Sequence, residues 1–230
     1  MDPNAEAKRS AARAALSEIP TEGIVGLGTG STAALFVEEL ARALPKNHRI
    51  VGVPTSEATR ALASRLGIPL LDDAGPWAID VNVDGADEVS AKLDLIKGGG
   101  GAHAREKIVN YSAKRNVVVT DASKLSTRLG EKHAIPIEVL PFAHGATRGH
   151  LSRYGNPTLR MRDGVPMRTD AGNLLYDLRV APIDDPGPLD HALRFIPGVV
   201  ETGLFVGRAD VVLVADGGGV RRLVRSAVVG

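Results

Sequence analysis

The sequence predicts an open α/β fold with a mainly parallel sheet and a smaller α+β module inserted near the C-terminus. Three observations point there. Short β-branched runs alternate with helical spacings through the first half of the chain. From about Ile135 the rhythm becomes β-α-β-β-α-β, and the apolar run Val211-Val212-Leu213-Val214-Ala215 then returns as a buried parallel-type strand. Strands separated by helices imply a parallel sheet covered on both faces.

Taken in order, Asn4 is placed to cap a helix that carries Ala12, Leu16 and Ile19 on one face, and Pro20 stops it. Residues 23–28 form a short apolar strand, and Ala33, Val37, Leu40 and Leu44 follow at helical spacing. The next strand is 49–53, ended by Pro54. Ala58, Leu62 and Leu66 then mark a helix closed by Gly67. Residues 68–71, 79–83 and 117–120 complete the strands of the first half.

In the second half, 135–140 is a strand, 142–154 a helix and 158–161 a strand, with a turn at Asp163-Gly164. Residues 174–180 are a strand, 188–195 a helix opened by proline, and 199–206 a last strand. That order is the split arrangement of ferredoxin-like modules. The expected division is a Rossmann-like domain over 1–131 plus 208–230, and a smaller ferredoxin-like domain over 132–207.

Composition narrows the function classes. The chain has 230 residues, 43% hydrophobic and 24% charged, with a formal net charge of +1. Aromatics are only 3%, so Val, Leu, Ile and Ala must build the core. A near-neutral balance gives no case for a nucleic-acid or membrane partner. The densest basic stretch, Arg221, Arg222 and Arg225, is expected on a solvated helix face. With no cysteine, disulfides, thiolate metal sites and cysteine nucleophiles are excluded. No export signal is visible, and no apolar run approaches the roughly 20 residues needed to span a bilayer. The expected location is the cytoplasm. The six histidines show no metal-type spacing, and His103 is expected at a rim.

Gly26-Leu27-Gly28-Thr29-Gly30-Ser31-Thr32 lies between a strand and a helix. Glycines admit an anion close to the backbone, and the helix start offers free N–H groups. A dinucleotide fingerprint would need glycine at Ser31 and an acid near Val53-Pro54, and no Gly-Lys-Ser/Thr of a P-loop is present. A small phosphate ester fits better. The plain alternative is a tight turn capped by Ser31 or Thr32.

Asp80-Val81-Asn82-Val83-Asp84-Gly85 imitates the start of a calcium loop, but position twelve is Ala91 rather than a bidentate acid. What remains is Asp84-Gly85-Ala86-Asp87-Glu88 at a strand's carboxyl end, where open α/β sheets hold ligands. Clustered carboxylates suit proton transfer. Solvated acids capping a turn are the alternative.

Four glycines follow Lys97, and such a run is costly unless backbone must approach something. A helix comes next, with Ala104, Ile108 and Tyr111 on its expected apolar face and Glu106 in its early turns. Lys97 and Glu106 thus flank the loop, a cation and a carboxylate expected to face one ligand; a flexible linker is the bland reading. Asp121-Ala122-Ser123-Lys124 again ends a strand, and Lys124 is placed to meet a phosphate.

In this order and spacing, 28–32, 84–88, Lys97 with its glycines, Arg105-Glu106-Lys107 and 121–124 resemble the ribose-5-phosphate isomerases of the A type. The likeness runs from near Lys8 through Ile196-Pro197-Gly198-Val199-Val200 and Gly203-Leu204-Phe205 to the Asp210 strand. The resemblance implies a two-domain enzyme without metal or other cofactor, dimeric or tetrameric, that interconverts ribose 5-phosphate and ribulose 5-phosphate. It implies Glu106 as general base, and Asp84 and Asp87 as substrate-binding acids, one of which helps open the sugar ring. Lys97 with Gly98, Gly99 and Gly100 would lie near the reacting carbon and its oxygen. Thr29, Gly30, Ser31, Thr32, Gly85, Ala86, Lys124 and Lys8 would contact phosphate and sugar. His103 departs from the small or apolar residue expected there.

Two rivals remain to be separated. An aminosugar-phosphate deaminase would release ammonia. A sugar-phosphate sensor of a transcription regulator would need a DNA-binding helix pair, and only one helix precedes Gly23.

Overall fold

The computed structural model describes residues 5–225, so the cap expected at Asn4 lies outside the described residues. Along the chain, α1 (Ala5–Ala14) runs into a 3-10 turn (Ala15–Glu18), then β1 (Glu22–Leu27), α2 (Ser31–Ala43), β2 (Arg49–Pro54) and α3 (Glu57–Arg65). Next are β3 (Val81–Asp84), β4 (Glu88–Val89), β5 (Leu95–Ile96), α4 (His103–Ser112) and β6 (Asn116–Asp121). Then follow β7 (Ile135–Val139), α5 (His144–Leu151), β8 (Asn156–Leu159), β9 (Met161–Arg162), β10 (Val165–Pro166) and β11 (Leu174–Arg179). The last elements are α6 (Pro186–Arg194), β12 (Val199–Thr202), β13 (Leu204–Phe205), β14 (Val211–Asp216) and β15 (Gly219–Val224). Among the described residues no helix is long and apolar enough to cross a membrane.

The chain divides into two compact units. The first holds the chain up to Ala86, Arg105–Ser123 and the chain from Arg208; the second holds Asp87–Ala104 and Lys124–Gly207.

In the first unit six strands lie in the order β15-β14-β6-β3-β1-β2. All pairs are parallel except β14 with β15, so the sheet is the open α/β type expected. Its strands are apolar on both faces because both are covered. Val25, Leu27, Val83, Val119 and Leu213 pack with Ala11 and Ala12 of α1 and with Phe36 and Leu40 of α2. Val53, Ile79 and Val109 build a second cluster with Trp77. Phe36 is fully buried, which stabilises the fold by roughly 1.5–3 kcal/mol.

Two expectations change here. Residues 68–71 are not a strand of the sheet; Leu70 makes one isolated parallel bridge to Gly52. The basic stretch is not a helix face either. Arg221 and Arg222 lie on the edge strand β15, which returns antiparallel to β14 after a run of three glycines, Gly219 having φ +138°. Charges on an edge strand discourage pairing with another chain.

Arg222 also reaches Glu18 at 3.0 Å, which Arg115 holds at 2.8 Å. Burial pushes the Glu18 carboxyl upward, but the bonds from Arg222 and Arg115 outweigh it and leave the pKa below its ordinary value. A lowered folded pKa contributes stability that is present above the ordinary value and is lost as pH falls through the folded one. Glu18→Gln should therefore cost about 1 kcal/mol at pH 7, and the gap from wild type should narrow as pH drops below about 4. Thermal unfolding across that range reads it; a gap of constant size would contradict the assignment.

The second unit realises the split order. Its antiparallel sheet runs β12-β7-β11-β8, and Ile135, Ile137, Tyr176 and Leu178 pack with Leu151 of α5 and Leu193 of α6. Asp163 and Gly164, both at positive φ, turn the β9-β10 hairpin. The strand expected over 199–206 is divided between two sheets: β12 pairs with β7, and β13 with β5. Gly203 sits at the break, where a Cβ would lie 2.3 Å from the Lys97 carbonyl oxygen. β4, β5 and β13 have two residues each, too few to leave a periodicity in the sequence.

Candidate active site

In the first unit the glycine loop is shaped by the end of β3. Gly28 N–H donates to the Val83 carbonyl at 2.9 Å. A Cβ on Gly28 would fall 2.1 Å from Asp84 Oδ1 and 2.6 Å from its Cα, so only glycine lets β1 and β3 end this close together. Buried Asp84 uses Oδ1 to accept from Thr29 N–H at 3.0 Å and from Gly85 N–H at 2.7 Å. Thr29, Asp84 and Gly85 are thus brought together.

The Thr29 hydroxyl is engaged locally. It lies 2.7 Å from Thr55 Oγ1 and donates to Ser56 Oγ at 2.8 Å. Thr59 Oγ1 donates to the Gly28 carbonyl at 2.9 Å, and Thr55 Oγ1 to that of Leu27 at 3.1 Å. Ser56 also caps α3 through Thr59 N–H. This hydroxyl cluster fixes the loop. Ser31 and Thr32 then open α2 behind Gly30, which has φ +106°. Lys8 Nζ donates to Ser31 Oγ at 3.1 Å on an exposed surface. An ammonium, two hydroxyls and the start of a thirteen-residue helix suit a phosphate dianion.

Helix α4 reverses the expected face. Ala104 is half-buried, while Ile108 and Tyr111 are 58% and 57% exposed. Glu106, Lys107 and Asn110 are buried instead, together with His103 and Val109. Burying polar groups in place of available apolar ones is costly, so a helix that does so signals a functional constraint. Asp121, at the end of β6, is buried and accepts from Ser123 N–H at 2.9 Å.

In the second unit the Lys97 loop is held by its neighbours. Lys97, just after β5, is 4% exposed; its backbone N–H donates to the Gly203 carbonyl at 2.9 Å. Its Nζ lies 5.4 Å from the centroid of the Phe205 ring. Gly98 has φ +111°, and a Cβ there would meet the His103 ring at 2.7 Å. His103 is fully buried, with Nε2 3.2 Å from the Glu201 carbonyl, so it is no rim residue but a wall behind the loop. Asp87 Oδ2 accepts from Gly99 N–H at 2.7 Å, which brings Asp87 and the glycine run together.

Glu88, grouped with these acids by sequence, has a different task. Fully buried, it accepts from Gly130 and His133 N–H at Oε2 and from Lys132 N–H at Oε1, each at 3.1 Å. The loop so held lines a cavity of about 310 Å³ with Asp87, Gly99 and Arg160. His133 has a lowered pKa, through burial first and the nearby Lys124 charge second.

The model of the family described as ribose 5-phosphate isomerase A (phosphoriboisomerase A) matches residues 51–219. The chain is similar to a ribose-5-phosphate isomerase A of Thermosynechococcus vestitus, with 47% identity over 91% of both chains. To that of Thermomicrobium roseum it is 46% identical over 97% of this chain and 95% of the relative. Among solved structures, the enzyme of Methanocaldococcus jannaschii is 41% identical with TM-score 0.90, covering 96% of this chain and 99% of the other. A D-ribose-5-phosphate isomerase in complex with phospho-erythronic acid is 42% identical with TM-score 0.92, covering 96% and 98%. By sequence and by fold, this chain belongs to the ribose 5-phosphate isomerase A family.

Proposed function

We propose that the chain interconverts D-ribose 5-phosphate and D-ribulose 5-phosphate through an enediolate, in the non-oxidative part of pentose phosphate metabolism. The observation that carries this reading is the family match over residues 51–219, a span that includes Asp84, Asp87, Lys97, Glu106 and Lys124. In it, Asp84 or Asp87 assists opening of the sugar ring. The Glu106 carboxylate takes the proton from C2, beside the aldehyde carbon C1, and the C–H electron pair becomes the C1–C2 double bond. Charge moves to the former aldehyde oxygen, where Lys97 and the glycine-run N–H groups stabilise it. The same proton returns to C1 while the C2 hydroxyl proton passes between the oxygens, so the sugar is rearranged with no net redox change. Lys8, Ser31, Thr32 and Lys124 hold the phosphorylated end and keep the carbons in register.

The reading requires no metal or other cofactor, and the test follows from that. Purified protein given ribose 5-phosphate in the presence of a chelator should form the ketose. No ketose would overturn the reading, and ammonia from an amino sugar phosphate would favour a deaminase. We further propose a dimer or tetramer working in the cytoplasm, for which family resemblance is the support. Sedimentation of the purified chain as a monomer would remove the first part.

A further inference from the structure

We propose that Arg160, locked by Asp177, is a positioning residue that sets the orientation of the Gly98 and Gly99 peptide groups. This rests on the isomerase reading above and deepens it. Arg160 follows β8, and its own backbone is fixed, N–H to the Leu175 carbonyl at 2.8 Å and carbonyl to Met167 N–H at 2.9 Å. From there Nη1 donates to the Gly98 carbonyl at 2.8 Å and to the Gly99 carbonyl at 3.1 Å. The other edge of the guanidinium clamps Asp177 of β11, Nε to Oδ2 at 2.9 Å and Nη2 to Oδ1. The arginine side chain is 14% exposed.

Two consecutive glycine carbonyls aimed at one cation leave the intervening N–H groups little choice. In a planar trans peptide the C=O of one residue and the N–H of the next point in opposite directions. With the Gly98 carbonyl on Arg160, Gly99 N–H must point away, and it does so onto Asp87. With the Gly99 carbonyl on Arg160, Gly100 N–H is likewise turned away from the guanidinium. Glycine peptides have many alternatives of similar energy, and the one turn bond inside the loop, from Gly101 N–H to the Gly98 carbonyl at 3.0 Å, leaves the Gly99 carbonyl to an external hold. Arg160 and Asp87 supply it from the two sides. Asp177 in turn orients the planar fork, which one ammonium could not reproduce. With Gly99 N–H held on Asp87, Gly100 N–H is the donor that this hold orients, and an N–H serves a developing oxyanion only when it is aimed before the charge appears.

The test is a kinetic series with ribose 5-phosphate. Arg160→Met should lose about 10²-fold in kcat, the scale of a displaced oxyanion donor, with KM within about threefold of wild type. Arg160→Lys, which keeps a charge and a donor, should recover about tenfold of that loss. Binding of phospho-erythronic acid, whose carboxylate stands in for the charged oxygen of the intermediate, should weaken in step with kcat rather than with KM.

A kcat for Arg160→Met within twofold of wild type overturns the assignment. So does a loss carried mainly by KM, or a lysine variant no better than methionine. If Arg160→Met does not fold, Asp177→Asn decides instead: about a tenfold fall in kcat at unchanged KM supports the device, and an unchanged kcat removes it. Failure of wild type to form ketose would be a separate result, overturning the isomerase reading and this assignment with it.

Discussion

Glu106→Gln is expected to abolish turnover of ribose 5-phosphate while leaving the fold and phosphate binding in place. Gln has the volume of Glu, and position 106 is 3% exposed in the first turns of α4, so the exchange adds no bulk. What it removes is a group able to take a proton from carbon and hand it back. General-base removal of this kind costs about 10²–10⁴-fold, and the higher figure applies where nothing else can accept the proton. Ketose formation gives kcat, and transfer of a deuterium label from C2 of the aldose to C1 of the ketose gives the proton-transfer step itself. Both should fall together, while inorganic phosphate and phospho-erythronic acid still bind. A variant that keeps more than a tenth of wild-type kcat would mean that another group is the base.

The second large effect concerns stability. Glu88→Gln should destabilise the protein by about 3 kcal/mol, since the buried acid serves three backbone donors on the 130–133 loop. A carboxylate can accept from all three. An amide presents one acceptor oxygen and one donor nitrogen, so an N–H group must face another N–H or move out of reach. Hydrogen bonds to a charged group contribute about 1.5–3 kcal/mol each, and an orphaned donor adds its own desolvation cost. For a chain of this size that is a fall in Tm of about 6–12 °C. Glu88→Asp, a shorter acid, should recover part of it. The same substitution loosens the segment bearing His133 beside Asp87 and Gly99, so a smaller fall in kcat should accompany the loss of stability. A Glu88→Gln protein that melts within 1–2 °C of wild type would show that the loop does not depend on this anchor.

These expectations separate two kinds of information. The positions of Gly28, Gly98 and Gly99 were legible along the chain, because a run of glycines between a strand and a helix is a local signal. Their meaning was not. Each glycine answers to a side chain elsewhere, Gly28 to Asp84, Gly98 to His103 and Gly99 to Asp87. The hydroxyl cluster of Thr29, Thr55, Ser56 and Thr59 joins segments about 30 positions apart, and the Arg160 hold on Gly98 spans 62. Side-chain periodicity carries no trace of such partners.

α4 shows where periodicity misleads. Ala104, Ile108 and Tyr111 have the spacing of a core face, yet the helix turns Glu106, Lys107 and Asn110 inward. A rule that rewards apolar burial fails where chemistry requires buried polar groups, and it fails at the residue proposed as the base. The C-terminal arginines mislead differently. Their charge marked a solvated surface, but pairing with β14 made that surface a strand edge rather than a helix.

By itself the sequence determined the alternation of strands and helices, the split second half and the places where backbone needed glycine. Each depends on residues within a few positions of one another, where propensity and steric allowance act. Only the tertiary structure decided which face of α4 is buried, that Glu88 anchors the 130–133 loop, and that Arg160 grips two glycine carbonyls. Those outcomes rest on hydrogen bonds between segments distant in the chain, and their geometry exists only once the sheets have formed.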